Sequence, residues 1–319
     1  MKPAFMSPSR LHTTLGPIDE ESAGIILAHE HVFVDLRKPD HAGHGQAETQ
    51  DVVRVMAPEL TKARRAGIGV IVEASCVGVG RRVDILLAVS QAAGVPLLAP
   101  TGVYREPWVP SWVQDSSEDR LLEWMTSELN GQIQGTGVRA GWIKLSAGDE
   151  GITTCETRIF RAAARAAVKT GAVIGSHTIR GRVVQDQVKM LEQEGLAPGR
   201  FIWIHTQAEP DFGLHLEMAR RGVWIEYDDI GGSAAADEER LRQVIAVLEA
   251  GLGARLLLSQ DRGWYDPAQP GGGQQKPYAA LVEEFLPRLS RAGVDDRMLR
   301  TLTRGNPFAA FAIEEGAAE

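Results

Sequence analysis

Short apolar runs rich in β-branched residues alternate along this chain with longer stretches whose apolar residues recur every three or four positions. Eight runs have strand character: Ile25–His29, Val70–Ala74, Val95–Pro100, Ala140–Leu145, Ala172–His177, Phe201–His205, Val223–Tyr227 and Arg255–Ser259. Helical periodicity covers Val52–Arg65, Val83–Ala93, Glu118–Leu129, Glu156–Lys169, Arg182–Glu194, Gly213–Arg221, Glu238–Ala250 and Tyr278–Ala292. Several of these end just before a glycine, among them Gly94, Gly171 and Gly222, which can take the left-handed conformation that stops a helix. Strands that alternate with helices make a parallel sheet, and eight of each is the count for an α/β fold of the (β/α)8 TIM-barrel type. No linker or shift in composition interrupts the pattern. Residues 1–319 are therefore expected to form a single domain, with 1–23, polar and containing Gly16-Pro17, as an N-terminal hairpin or arm.

Loop lengths are uneven. Helix-to-strand connections are short, whereas the strand-to-helix segments 32–50, 101–117, 228–237 and 260–277 are long. In a barrel the long set emerges together at the C-terminal mouth, where active sites are built. An elaborated mouth and a plain base follow.

A formal net charge of −8 leaves no basic surface, which argues against nucleic acid as a partner. The two cysteines, Cys76 and Cys155, suggest a reducing compartment and no disulfide framework. With no signal-peptide core and no membrane-length apolar run, a cytoplasmic protein acting on a small molecule, without a membrane partner, is the expectation.

The residues that carry chemistry gather at the C-terminal ends of the strand runs. His29 and His31 share one face of the first strand while Glu30 faces the other way. Lys144 stands near the end of the fourth run, His177 ends the fifth and His205 the sixth; Asp261 follows the eighth. Two converging imidazoles are half of a metal site, and the downstream residues supply further ligands. Divalent ions would repel an ammonium at Lys144 and favour its neutral form, which can add carbon dioxide. The carbamate so formed, an N6-carboxylysine, could bridge two ions. Four imidazoles, one carbamate and one aspartate suffice for two borderline ions such as zinc, with room for a bridging hydroxide. Manganese, cobalt or iron would accept similar ligands. A desolvated Schiff-base lysine at Lys144 is the alternative chemistry. His12, His41, His44 and His215 read as background, His215 as a helix position among charges.

At this point the chain resembles the phosphotriesterase-related proteins and phosphotriesterase-like lactonases of the amidohydrolase superfamily. The resemblance runs through Leu15-Gly16-Pro17-Ile18, His29-Glu30-His31, Thr101-Gly102, Ile143-Lys144-Leu145, Gly148–Ile152, Ser176-His177-Thr178, Ser259-Gln260-Asp261 and Asn306-Pro307…Phe311. It implies that His29, His31 and Asp261 hold one metal and His177 and His205 the other, with carboxylated Lys144 between them. It also implies Asp261 as general base, Tyr104 over the substrate, and a homodimer. Two departures stand out. His205-Thr206-Gln207-Ala208-Glu209 lacks the acid that the family often places three residues after this histidine, and Glu226-Tyr227-Asp228-Asp229 lacks the arginine of quorum-sensing lactonases.

Among the mouth loops, Trp264 and Tyr265 are candidates to wall an apolar pocket, as are Trp108 and Trp112. Arg180, Arg182 and Arg262 are basic residues that could meet an anionic part of the substrate. The glycines at 271–273 lack the spacing of a nucleotide-binding loop. The expected function is a dinuclear hydrolase of lactones or carboxylic esters, with organophosphate triesters as the alternative substrate. A Schiff-base lyase or aldolase and a non-catalytic metal-binding protein are the readings from other classes.

Overall fold

A computed structural model describes residues 8–314. Residues 1–7 of the expected N-terminal arm lie outside the described residues. The strands are β1 (Ile25–Phe33), β2 (Ile68–Glu73), β3 (two short pieces, Leu97–Leu98 and Pro100–Thr101), β4 (Trp142–Ser146), β5 (Ile174–His177), β6 (Phe201–Ile204), β7 (Trp224–Tyr227) and β8 (Leu256–Leu258). Each pairs in parallel with the next from β1 to β8. Between them run α1 (Thr49–Arg65), α2 (Val83–Ala93), α3 (Glu118–Asn130), α4 (Thr154–Thr170), α5 (Gly181–Gln193), α6 (Phe212–Arg220) and α7 (Ala234–Glu249). This is the (β/α)8 barrel that the alternation predicts. The eighth helical stretch is shorter than expected: a wide turn over Leu281–Phe285 leads into Leu286–Arg291. None of the described helices is long and apolar enough to cross a membrane.

Closure of the barrel does not come from β8 itself. The chain beyond it does the pairing: the Asp261 N–H donates to the His29 carbonyl at 3.2 Å, and Gly263–Tyr265 lies parallel to β1 with Gly263 opposite His31 and Tyr265 opposite Phe33. Gly263, at φ +95, is required there, because a Cβ would strike the His31 carbonyl and the Tyr278 hydroxyl.

A second local feature aims the histidines. Ile26 and Ala28 belong to the cluster that fills the barrel interior, and His29 and His31 open into the cavity at its mouth. Strict alternation cannot face all four inward. Between the pairs Leu27↔Ile71 and Glu30↔Glu73, β1 spends one residue more than β2, a bulge that resets the parity. Glu30 then points outward and is held by the N–H groups of Gln260 and Arg262 at 3.1 and 2.7 Å.

The base is plain, as the loop lengths suggest. A hairpin of Ser9–Thr13 with Gly16–Ile18 lies there, joined by Ile313–Glu314. Leu11, Trp142, Phe308 and Phe311 pack into the inner cluster. One background residue differs from its sequence reading. His215 sits in α6 but is fully buried, with Nδ1 2.9 Å from the Tyr227 hydroxyl and Nε2 2.9 Å from the Glu209 carbonyl.

Candidate metal centre

Four imidazoles meet at the C-terminal mouth. Ring centroids are 5.4 Å apart for His29 and His31, 5.1 Å for His29 and His205, and 4.4 Å for His177 and His205. Three of the rings are gripped from behind through Nδ1. Glu226 holds His29 at 2.9 Å, Ser75 holds His31 at 2.8 Å, and Asp228 holds His205 at 2.8 Å. Such partners set the tautomer and leave Nε2 free for a ligand. Asp261 reaches the same space, with Oδ1 3.1 Å from His31 Nε2 and 3.8 Å from His29 Nε2. That buried oxygen accepts no hydrogen bond.

Lys144 lies among them on β4, buried to 2 % exposure, with Nζ 5.8 Å from the centroid of the Trp142 ring. Among the described residues it has no ion-pair partner. Burial lowers its pKa, against the pull of Glu226 and other acids. Burial also keeps His29 and His177 far below the usual imidazole range, reinforced by Lys144 and by His205 respectively. For His31 the balance differs: burial depresses it, but the nearby carboxylates of Asp261 and Glu73 prevail and raise it to about 9. Burial raises Glu226, whereas for Asp228 the His205 contact overcomes burial and lowers it.

Backbone strain concentrates here. Of the four described non-glycine residues with positive φ, three are His205 (+62°), Asp261 (+51°) and Trp264 (+72°). Sequence placed His205 as the last residue of its strand. In fact β6 ends at Ile204, and the left-handed turn brings the ring over to His177.

The six expected ligands line one cavity of about 220 Å³, together with Tyr104 and Trp264. Val34, Leu36 and Val79 give it an apolar wall. The Tyr104 hydroxyl is 3.2 Å from His177 Nδ1. A polar cavity of about 330 Å³ adjoins, sharing His205 and Asp261 and reaching Arg262 and Lys276.

Other expected substrate contacts are not brought to the cavity. Tyr265 faces away, because neighbours on an extended segment point to opposite sides; it stacks on Phe33 at 5.9 Å. Arg180 is exposed at the start of α5, and Arg182 turns to the Asp149 carbonyl at 2.6 Å. Trp108 donates to the Leu36 carbonyl at 2.8 Å on the rim, and Trp112 packs on Trp124 instead.

Sequence reasoning passed over the carboxylates behind the histidines. Glu226 and Asp228 alternate with Tyr227 on a buried strand, so both face the barrel interior. Acids at i and i+2 in an apolar run were the available signal. The acid that seemed missing after His205 is supplied by Asp228 from the neighbouring strand.

The profile of the Phosphotriesterase family matches residues 9–311. The chain belongs to the phosphotriesterase family. As a member it is a hydrolase that acts on ester bonds. Among curated relatives, a phosphotriesterase homology protein of Escherichia coli is 28 % identical, covering 91 % of this chain and 99 % of its own. Among solved structures, a mutant organophosphorus hydrolase from Deinococcus radiodurans superposes with a TM-score of 0.85 at 30 % identity, covering 96 % and 98 % of the two chains. Another, described as organophosphate hydrolysis activity engineered from a weak promiscuous lactonase template, gives 0.84 at 31 %, covering 95 % and 99 %. The phosphotriesterase family depends on two metal ions, and the donors in this barrel fit them. The ligand atoms of His29, His31 and Asp261 lie within 4.8 Å of one another, and the buried Asp261 Oδ1 lacks the hydrogen bond it would otherwise need.

Proposed function

We propose that this protein is a dinuclear metal hydrolase of lactones or carboxylic esters. The observation that carries the reading is the convergence of four imidazoles, Asp261 and an unpaired buried lysine on one small cavity with an apolar wall. His29, His31 and Asp261 would hold one ion, and His177 and His205 the other. Lys144 would be shared between them as N6-carboxylysine. Burial favours the neutral amine that this modification needs: the nitrogen lone pair bonds to the carbon of CO2 and one N–H proton is released. When bound, the two divalent ions, zinc by preference for this nitrogen and oxygen donor set, polarise the ester oxygen and lower the pKa of water.

The chain's own residues do the rest. Asp261, held at φ +51°, accepts the proton released as water attacks. Glu226, Ser75 and Asp228 keep the imidazoles in the tautomer that presents Nε2. Trp264 and Tyr104 bound the space in which the ester is oriented. A lactone fits the 220 Å³ cavity, and one structural neighbour at 31 % identity derives from a lactonase. Organophosphate triesters are the second reading, favoured by the organophosphorus hydrolase similar to this chain.

The test is a panel of lactones, carboxylic esters and phosphotriesters on zinc-reconstituted protein with bicarbonate present. Lactones or esters should be turned over fastest, and His177→Ala or Asp261→Ala should abolish the activity without unfolding the protein. Wild-type rates in either variant would refute the mechanism; faster phosphotriester turnover would replace the substrate class.

A further inference from the structure

Arg105, on the loop after β3, takes no part in the chemistry above. Its side chain is half-buried, its Nε is sealed from water without a hydrogen-bond partner, and it forms no ion pair among the described residues. Other arginines with a sealed Nε are anchored by their outer nitrogens. Arg81 binds Glu128 at 2.6 and 2.9 Å, and Arg158 donates to the Gln114 carbonyl at 2.7 Å. Nearby acids are engaged elsewhere: the Glu156 carboxylate accepts the Glu106 and Thr153 N–H groups, each at 3.0 Å, and Glu150 faces Arg182 at 3.8 Å.

What surrounds the guanidinium is a cradle open to one more group. It lies over the Trp108 ring, 5.6 Å from the centroid. Facing it is the loop after β4, where Gly148 carries no side chain; a Cβ there would stand 3.5 Å from Nη1. Ser146, on β4 opposite His177 in the sheet, also has a buried hydroxyl without a partner. The Tyr104 hydroxyl sits between this group and the metal centre, 3.2 Å from His177 Nδ1. Burial raises that hydroxyl to about 12, against the charge of Arg105. A sealed, unsatisfied hydroxyl beside a guanidinium whose own Nε lacks a partner is costly to keep unless a ligand completes the pair.

We infer that Arg105, with Ser146 and Tyr104, forms a subsite for an anionic oxygen group, a carboxylate or a phosphate, carried by the substrate next to its scissile bond. A planar guanidinium backed by an aromatic face suits such a group. The inference rests on the hydrolase reading and narrows it: in a chain of net charge −8, the preferred ester or lactone is itself an anion.

The experiment uses zinc-loaded full-length protein and three γ-lactones that differ in one substituent: a carboxylate, its neutral methylamide, and a phosphate. Wild type should favour an anionic lactone over the amide in kcat/KM. Arg105→Met should lower that ratio about 10- to 100-fold, the range of one charge-assisted hydrogen bond. Arg105→Lys should restore part of it, and Ser146→Ala should lower it less. The better of the two anions identifies the source of the charge. A second arm measures glutarate and inorganic phosphate binding by calorimetry. Arg105→Met should weaken one of them at least tenfold whichever ester is hydrolysed, which separates failure of the subsite from failure of the hydrolase reading. An unchanged ratio with unchanged binding, or equal loss on charged and neutral lactones, would overturn the inference.

Discussion

Replacing Asp228 by alanine tests how far the carboxylates behind the histidines build the metal centre. Asp228 is buried, and both its oxygens engage His205: Oδ1 meets His205 Nδ1 at 2.8 Å, where Gln207 Nε2 also donates, and Oδ2 accepts the His205 N–H at 3.1 Å and lies 3.4 Å from His29 Nδ1. Ring and backbone are thus fixed together, and His205 needs both, because φ +62° costs a non-glycine residue about 1–2 kcal/mol. A hydrogen bond to a charged group contributes about 1.5–3 kcal/mol, which converts to about 10- to 100-fold in equilibrium terms. Asp228→Ala should therefore weaken binding of the ion at His177 and His205 by about 10- to 100-fold, with a matching fall in kcat/KM at limiting metal. Asp228→Asn keeps one acceptor and should fall between. Metal affinity is read by competition with a chromogenic chelator, and a thermal melt shows whether the barrel survives. If folded Asp228→Ala binds both ions as tightly as wild type, then Asp228 does not position His205 for the metal, and the grip on Nδ1 contributes nothing to the site.

Lys144→Met should leave the barrel folded, lower bound metal below two ions per chain and reduce turnover by at least about 100-fold; full metal content by mass spectrometry would count against a shared ligand at this position. Trp264 and Tyr265 should separate by phenotype. Trp264→Ala should raise KM about tenfold, whereas Tyr265→Ala, which empties a stacked core position, should cost about 3–5 kcal/mol in denaturant unfolding with little change in KM. His215 is lowered to about 4, with burial the main cause, so the unfolded chain binds a proton in the window from 6.5 down to about 4 that the native state does not. Stability from this group is complete above pH 6.5 and is lost as pH falls through that window, by about 3 kcal/mol in all. His215→Gln should flatten that acid limb of the stability curve, and an unchanged limb would refute the assignment.

Much of this protein was legible along the chain. Barrel strands are buried on both sides and helices on one, so Val70–Ala74 or Phe201–His205 read as continuous apolar runs beside three-and-four periodicity, and their number sets the closure. The ligands were legible for the same reason. A polar residue that ends a buried strand, such as His177, or stands near its end, such as Lys144, can open into the mouth. What tertiary structure alone decided are the relations between strands. The bulge in β1 that turns both His29 and His31 inward depends on pairing with β2. The left-handed turn at His205 is held by Asp228 from β7. Closure by Gly263–Tyr265 sends Trp264 into the cavity and Tyr265 away from it. Arg105 forms no ion pair among the described residues, and the Glu156 carboxylate near it is claimed by the N–H groups of Glu106 and Thr153. Local periodicity records which side of an element is buried; which groups then meet across the barrel depends on register, and register is a property of pairs of strands.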